Sequence, residues 1–290
     1  MSSSTKEIKR RIRSVRNTEQ ITRAMEMVAG AKLRKAQERL EGARPFGEHM
    51  RQVINRVLSY SLQLDHPFLE EREVRTTGYL VVTSDRGLCG GYNSNLLRKL
   101  ISELEEEKEN QFFVVGRRGR DYLRRRGYHI VSEYLNVEDV PGWEQVESLG
   151  EMAVQMFLDG VVDELYVCYN HFINALQQKP VFLRLLPMAP PDPEELPPVN
   201  ETLYFQYEPG AEAVLNSLLP RYINSSIYSA LLEAKTSEHG ARRTAMNAAT
   251  KNAEEMIDRL TYTYNQARQA SITQELLEIV NSAEALKQES

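Results

Sequence analysis

The first forty residues carry a stripe that steps by four and three: Ile8, Ile12, Val15, Glu19, Thr22, Glu26, Ala29, Leu33, Ala36 and Leu40. This is the spacing of a coiled-coil seam. Its middle is polar, at Glu19, Thr22 and Glu26, and over that stretch Ile21, Met25 and Val28 form a second apolar ridge. The pattern predicts that the helix there turns a different face inward, toward another partner. From Ser4 to Leu64 the only proline is Pro45, so a single helix on the order of 80 Å long is expected.

A second long pattern closes the chain. After Pro209-Gly210 the only proline is Pro220 and the only glycine Gly240. Met246, Ala249, Ala253, Met256, Leu260, Thr263, Ala267, Ala270, Gln274, Leu277 and Asn281 keep three-four spacing, with small residues that permit close helix approach. Helices of such length gain little stability unless packed, so the two chain ends are expected to pair with each other. Joined through a folded domain, they would run antiparallel. The C-terminal helix is longer by about twenty residues, so its comparatively apolar tip, Ser271 to Leu286, should extend past its partner.

Between the helices the period changes. Tyr79–Thr83, Phe112–Val115, Tyr128–Val131, Glu164–Tyr169 and Pro180–Leu185 read as strands, and Asn95–Lys108, Arg117–Arg126 and Glu147–Leu158 as helices. Alternation of this kind gives a mostly parallel sheet with right-handed crossovers. The expected fold class is α/β: a long antiparallel coiled coil of the N- and C-terminal helices (1–65 and 209–288) plus a central Rossmann-like domain (76–208). Pro187 to Pro198 reads as a surface connector.

Charge sharpens this picture. Residues 1 to 60 hold fourteen Lys/Arg against six Glu, an excess of eight; the chain's net charge of -5 therefore leaves -13 on the remainder. A basic arm suits nucleic acid, anionic lipid or an acidic protein surface equally. Cys89 and Cys168 are far apart and outside any C-x-x-C spacing, so neither a disulfide framework nor a zinc site is suggested. No run reaches the roughly twenty apolar residues of a membrane span. The five histidines lack metal-ligand spacing, and no cofactor or catalytic residue is assigned.

One loop invites a catalytic reading. Ser84 to Asn93 is glycine-rich, follows a strand and leads into a helix, where phosphate can meet backbone N–H groups. Its spacing matches neither G-x-G-x-x-G nor the P-loop, and the P-loop lysine is missing. A structural turn is expected instead, with Asp85 and Asn93 as turn or cap residues. Arg117, Arg118, Arg120, Arg124, Arg125 and Arg126 crowd one short helix, and pairing with Glu103, Glu105, Glu106, Glu107 and Glu109, or plain solvation, accounts for them. Asn265 to Glu275 places amide, hydroxyl and guanidinium groups on several faces of a slim helix, which suggests directional hydrogen bonds to a partner.

Three blocks together resemble one family: Asn17-Thr-x-x-Ile21-Thr-x-Ala24-Met25-Glu-Met27-Val28-Ala29, then Asp85-Arg-Gly-Leu-Cys-Gly-Gly-x-Asn93, then Ala241-Arg242-x-x-Ala245-Met246 with Ala267-Arg268-Gln269-Ala-Ser-Ile-Thr-Gln-Glu275. They are similar to the gamma subunits of F-type ATP synthases, bacterial type. The resemblance implies a non-catalytic rotor of the central stalk. Its coiled coil would sit inside a ring of three alpha and three beta subunits, its foot on the membrane ring of c subunits beside epsilon, with proton flow turning it and the ring's nucleotide sites responding. It implies ring contacts at Met25, Arg242, Arg268, Gln269, Thr273 and Glu275, and foot contacts at Arg44, Phe46, Tyr207 and Glu208. No nucleic acid, cofactor or membrane span of its own is implied, and the location would be peripheral, on the cytoplasmic face of a bacterial inner membrane. The segment between Val181 and Tyr207 lacks the cysteine-bearing insertion of chloroplast members, and Met1 leads straight into a helix with no room for a transit peptide, which points to a bacterium. Two other readings remain open at this stage: a nucleotide-binding enzyme that dimerises through its helices, and a basic scaffold for nucleic acid.

Overall fold

The computed structural model describes residues 3–60, 66–105, 107–188, 207–208 and 210–288. Eleven elements follow one another: α1 (Ser3–Tyr60), a short 3-10 turn (Pro67–Leu69), β1 (Thr76–Val82), α2 (Tyr92–Glu103), β2 (Glu109–Val115), α3 (Arg117–Arg125), β3 (Ile130–Tyr134), α4 (Trp143–Leu158), β4 (Glu164–Phe172), β5 (Gln178–Leu186) and α5 (Ala211–Gln288). Each predicted strand and helix is present. The proline-rich connector lies outside the described residues from position 189 onward. The chain forms two compact units, a coiled-coil unit of residues up to Val28 with those from Arg243, and an α/β unit from Ala29 to Arg242.

In the α/β unit the five strands lie in the order β3-β2-β1-β4-β5. The first four are parallel and β5 returns antiparallel along β4. Side chains alternate between faces as the two-residue period of a strand requires. Leu80, Val82, Phe113, Val115, Leu165 and Val167 enter a core with Val146, Leu149, Ala153 and Phe157 of α4, Ile54 and Val57 of α1, and Leu215, Leu219, Ile223, Ile227 and Leu231 of α5. On the other face Tyr79, Val81, Phe112 and Val114 meet Leu96, Leu97 and Leu100 of α2 and Leu123 of α3. Helices thus cover both faces, which is why the central strands read as unbroken apolar runs.

In the coiled-coil unit α1 and α5 run antiparallel. Thr250 Oγ1 donates to Thr22 Oγ1 at 2.8 Å, Asn247 Nδ2 donates to Glu26 Oε1 at 2.9 Å, and Arg23 pairs with Glu254 and with Glu19. As the α1 position rises, the α5 position falls. The expected α1 seam is the buried one: Ile8, Ile12, Val15, Glu19, Thr22 and Glu26 are all partly or fully buried. The predicted change of face is therefore corrected. The helix keeps one seam through its polar middle because Thr250, Asn247 and Arg23 satisfy those polar groups, so their burial carries no unmet hydrogen bond. Ile21 and Val28 remain exposed beside it.

The α5 seam needs a second correction. Met246, Thr250 and Ala253 are buried, and Ile257, Leu260, Tyr264, Ala267 and Ser271 continue the line half-buried. Met246, Ala253, Leu260 and Ala267 hold as expected and Ala249 is half-buried beside Thr250, whereas Met256, Thr263 and Ala270 are exposed and the residue after each takes its place; Gln274, Leu277 and Asn281 are exposed. Steps of three-then-four and four-then-three share alternate positions, and small or apolar residues occupy both alternatives here, so spacing alone did not separate them. Beyond Ser271 the side chains through Asn281 are exposed.

Candidate partner surfaces and a crevice filled from within

The β1–α2 loop is a self-contained turn. Leu88 and Gly90 take left-handed backbone conformations, with φ of 62° and 57°. Asn93 closes the turn: its Oδ1 accepts the Ser84 N–H at 3.0 Å and its Nδ2 donates to Ser84 Oγ at 2.8 Å and to Cys89 Sγ at 3.3 Å. Asp85 Oδ1 accepts the Arg117 N–H at 3.1 Å, capping α3 from a separate segment. Burial pushes the Cys89 thiol pKa up, so it stays an inert thiol at neutral pH.

In doubly wound sheets ligands bind beyond the carboxyl ends of the strands, where the winding reverses. Here that point lies between β1 and β4, since β2 and β3 extend one way from β1 and β4 the other. Residues Ala234–Arg242 of α5 fill it. Tyr92, at the start of α2, donates its hydroxyl to Ala234 O at 3.0 Å; Ser237 Oγ donates to Asn170 O at 2.8 Å; and Asn170 Nδ2 donates to Tyr92 O at 3.1 Å. Lys235 Nζ donates to Val137 O at 2.8 Å, and Arg242 pairs with Glu238 at 2.8 Å and donates to Gly87 O at 3.4 Å. The side chains of Lys235, Glu238 and Arg242 are 10%, 8% and 11% exposed, which makes this a buried polar network. Lone residues at sequence separations near one hundred gave no motif from which it could be read.

His239 completes the network. Its Nε2 meets Asp139 Oδ1 at 2.9 Å, and Lys32 of α1 meets Asp139 Oδ2 at 2.8 Å. Burial lowers the His239 pKa, and Arg242 adds to that, while Glu238 and Asp139 oppose it. Its Nδ1 has no hydrogen-bond partner among the described residues, so protonation there would bury a donor without an acceptor. Burial raises the Asp139 pKa, but the Lys32 hydrogen bond and the His239 charge outweigh it, leaving the carboxyl below its ordinary value. The unfolded chain binds a proton near the ordinary imidazole value of 6.5, whereas the folded chain resists until lower pH. Stability attributable to His239 is thus present above 6.5 and falls as pH drops through 6.5 toward the folded pKa. Asp139 changes only at or below its ordinary 3.8, outside that window. Thermal melts from about pH 7.5 down to about pH 5.5 should show a loss of melting temperature that is smaller in His239→Gln; an equal loss in both would assign the effect elsewhere, His66 included.

The candidate contact residues fall into separate groups. Arg268, Gln269, Thr273 and Glu275 are exposed on α5 past or at the end of the buried seam, and Thr273 Oγ1 donates back to Gln269 O at 3.0 Å. Met25 is half-buried between exposed Ile21 and Val28 on α1. Arg242 differs from these, because its guanidinium is held inside the α/β unit. Arg44 lies at a cleft of about 360 Å³ between α1, α5 and the β4–β5 ribbon, where His171 pairs with Glu233. Phe46 is exposed, Glu208 is exposed, and Tyr207 packs against the core. Among the described residues no arginine of α3 pairs with Glu103, Glu105, Glu107 or Glu109. Arg124 pairs with Glu133, Arg120 with Asp121, and Arg117 Nη2 donates to Asn136 Oδ1 at 2.8 Å, because α2 ends at Glu103 and β3 lies closer.

Stepping about 100° per residue along α5, Ile272, Leu276, Val280 and Leu277 lie on one arc of about 140° that also holds Gln269 and Thr273. Ser271, Gln274, Glu278 and Asn281 continue the line of the buried seam and are polar. The apolar arc is thus turned away from the face that α1 uses, and its members are exposed, Leu276 by 57%. No helix among the described residues is long and apolar enough to cross a membrane.

Residues 4–286 match the family described as ATP synthase. The ATP synthase gamma chain of Halothermothrix orenii is 48% identical over 283 residues, covering 97% of this chain and 99% of that one. The gamma chain of Desulforamulus reducens is 45% identical over 284 residues, covering 98% and 99%. Among solved structures, a chain from the central stalk and c-ring of the Tetrahymena thermophila mitochondrial ATP synthase is 28% identical with a TM-score of 0.63, covering 79% of this chain and 99% of its own. A chain from the Euglena gracilis mitochondrial ATP synthase rotor, 17% identical with a TM-score of 0.69 over 93% and 99%, shares the fold. A match along nearly the whole length, with both long helices and the sheet between them, places this chain in the family of ATP synthase gamma chains.

Proposed function

We infer that this chain is a non-catalytic rotor subunit of the central stalk, coupling rotation of a c-subunit ring to the nucleotide sites of an alpha/beta ring. Family membership supports the complex, and one observation supports the role: the exposed apolar arc of the α5 tip, which α1 does not cover. A monomeric protein rarely leaves such a surface bare. Its natural occupant is a collar of alpha and beta subunits around the tip, with Arg268, Gln269, Thr273 and Glu275 at the same level and Met25 farther along α1. Differential contact of an uneven surface with successive subunits is what biases each site toward a different state. Arg242 serves the same end from inside the chain. At the foot, Arg44, Phe46, Tyr207 and Glu208 contact the c ring and the epsilon subunit. The location that follows is the cytoplasmic face of a bacterial inner membrane, held there through partners.

The nucleotide-enzyme reading has no comparable support, because α5 fills the crevice such an enzyme would use. Purification of the tagged chain from a bacterial host making the whole complex tests the rotor reading. Alpha and beta should co-purify in threefold ratio to this chain, together with epsilon and c. Recovery of the chain alone, or in equal ratio with alpha and beta, would exclude it.

A further inference from the structure

We propose that the crevice at the carboxyl ends of β1 and β4 is a keyed seat for α5, the fastening through which twist passes between that helix and the α/β domain. The inference rests on the rotor reading and adds a role for Lys235, Ser237, Glu238, His239 and Arg242, which become positioning residues for coupling.

Elsewhere α5 is held by apolar packing. Leu215, Leu219, Ile223, Ile227 and Leu231 are buried against the sheet and α4. Such packing resists separation strongly but is not directional, and apolar surfaces can slide by small rotations. From Ala234 to Arg242 the chemistry changes. Three strand-end segments converge on this short stretch: the β1–α2 loop with the start of α2 (Gly87, Tyr92), the end of β4 (Asn170) and the β3–α4 loop (Val137, Asp139). At about 100° per residue Lys235 and Arg242 share one side of α5 and reach toward Val137 and Gly87, while Ser237 leaves nearly the opposite side toward Asn170, so rotation about the helix axis in either direction lengthens some of these bonds. Hydrogen bonds weaken steeply with distance and angle, and charge-assisted ones are about twice as strong as neutral ones.

The same crevice would give a ligand rigid backbone groups on which to bind. Here Lys235 and Arg242 donate to backbone carbonyls at Val137 and Gly87, with Glu238 between the two cations. A buried network of this kind contributes little net stability compared with apolar residues of equal size, but it does fix one arrangement. Asp139 extends the grip to Lys32 of α1, so both helices are tied to one loop.

The test uses the whole complex reconstituted in vesicles, with ATP-driven proton uptake and ATP hydrolysis measured on the same preparation. Ser237→Ala removes one bond and leaves the apolar core untouched; Lys235→Met removes a buried cation, and Lys235→Arg restores it. Protons moved per ATP should fall at least about twofold in Ser237→Ala and Lys235→Met when pumping against an established gradient, and recover in Lys235→Arg. A merely structural role would lower the yield of complex or its melting temperature and leave that ratio alone. An unchanged ratio in assembled Ser237→Ala complex overturns the proposal, even if Lys235→Met fails to assemble. Failure of the unsubstituted complex to pump would count against the rotor reading itself, so the two failures are distinguishable.

Discussion

Gly116→Ala should destabilise the α/β unit by about 3 kcal/mol, because a methyl group there meets both a forbidden backbone conformation and fixed backbone atoms. Gly116 joins β2 to α3 with φ 95° and ψ 144°, a conformation that residues with a Cβ rarely adopt. The added Cβ would lie 2.3 Å from the carbonyl oxygen of Thr83 and 2.8 Å from its carbonyl carbon. Neither atom can yield, because Thr83 is fixed from both sides: its N–H and its hydroxyl donate to Val115 O, and its Oγ1 accepts the Gly119 N–H at 2.9 Å. Gly127 provides the control, with φ 80° and nothing within 4 Å of an added Cβ. Gly127→Ala should show strain alone, about 1 kcal/mol. Trp143, the only tryptophan, lies on α4 within the same unit, so urea unfolding followed by its fluorescence reads the difference directly. Equal midpoints for the two variants would mean that the contact with Thr83 costs nothing.

That contrast shows where sequence reasoning succeeds and where it ends. Period and composition identified both long helices, all five strands and the parallel winding, because each depends on which side of an element is apolar. Asn93 was legible as a turn residue for the same local reason, a short polar side chain reaching nearby backbone, whereas the helix that Asp85 caps begins thirty-two positions farther along the chain. Gly116 carries no such signal, since its constraint comes from Thr83, thirty-three positions away, crossing over it. The α5 seam lies between these cases. Alternate positions such as Ala253 and Leu260 were readable, whereas the choice of Ile257 over Met256 depends on which face α1 meets. Least legible was the network of Lys235, Glu238, His239 and Arg242. Four charged or polar residues on a long helix look solvent-facing until three strand-end loops are folded over them. Arg242 illustrates the point, since a resemblance marks it as important and only the fold shows that its reach is inward.

The arc at the α5 tip yields the second large effect. Leu276→Asp and Val280→Asp each place a carboxylate where the proposed collar of alpha and beta subunits would bury an apolar side chain. Burying a leucine or valine contributes roughly 1.5–3 kcal/mol, and an unpaired carboxylate in the same place adds a desolvation cost. Loss of about a hundredfold in affinity for the alpha/beta ring is therefore expected from each substitution, measured as the concentration of chain needed to reassemble the complex from separated subunits. The chain itself should be indifferent, because both positions are exposed and touch no core; exposed substitutions of this kind stay within about 0.5 kcal/mol. Its melting temperature and helical circular dichroism therefore serve as the internal control. Asn281→Asp tests direction, since it adds the same charge on the polar line that continues the seam. Near-normal assembly of Asn281→Asp beside failure of Leu276→Asp would locate the contact on the apolar arc. Similar loss in both would make the contact an undirected effect of charge, and normal assembly of Leu276→Asp would remove the surface on which the rotor assignment chiefly depends.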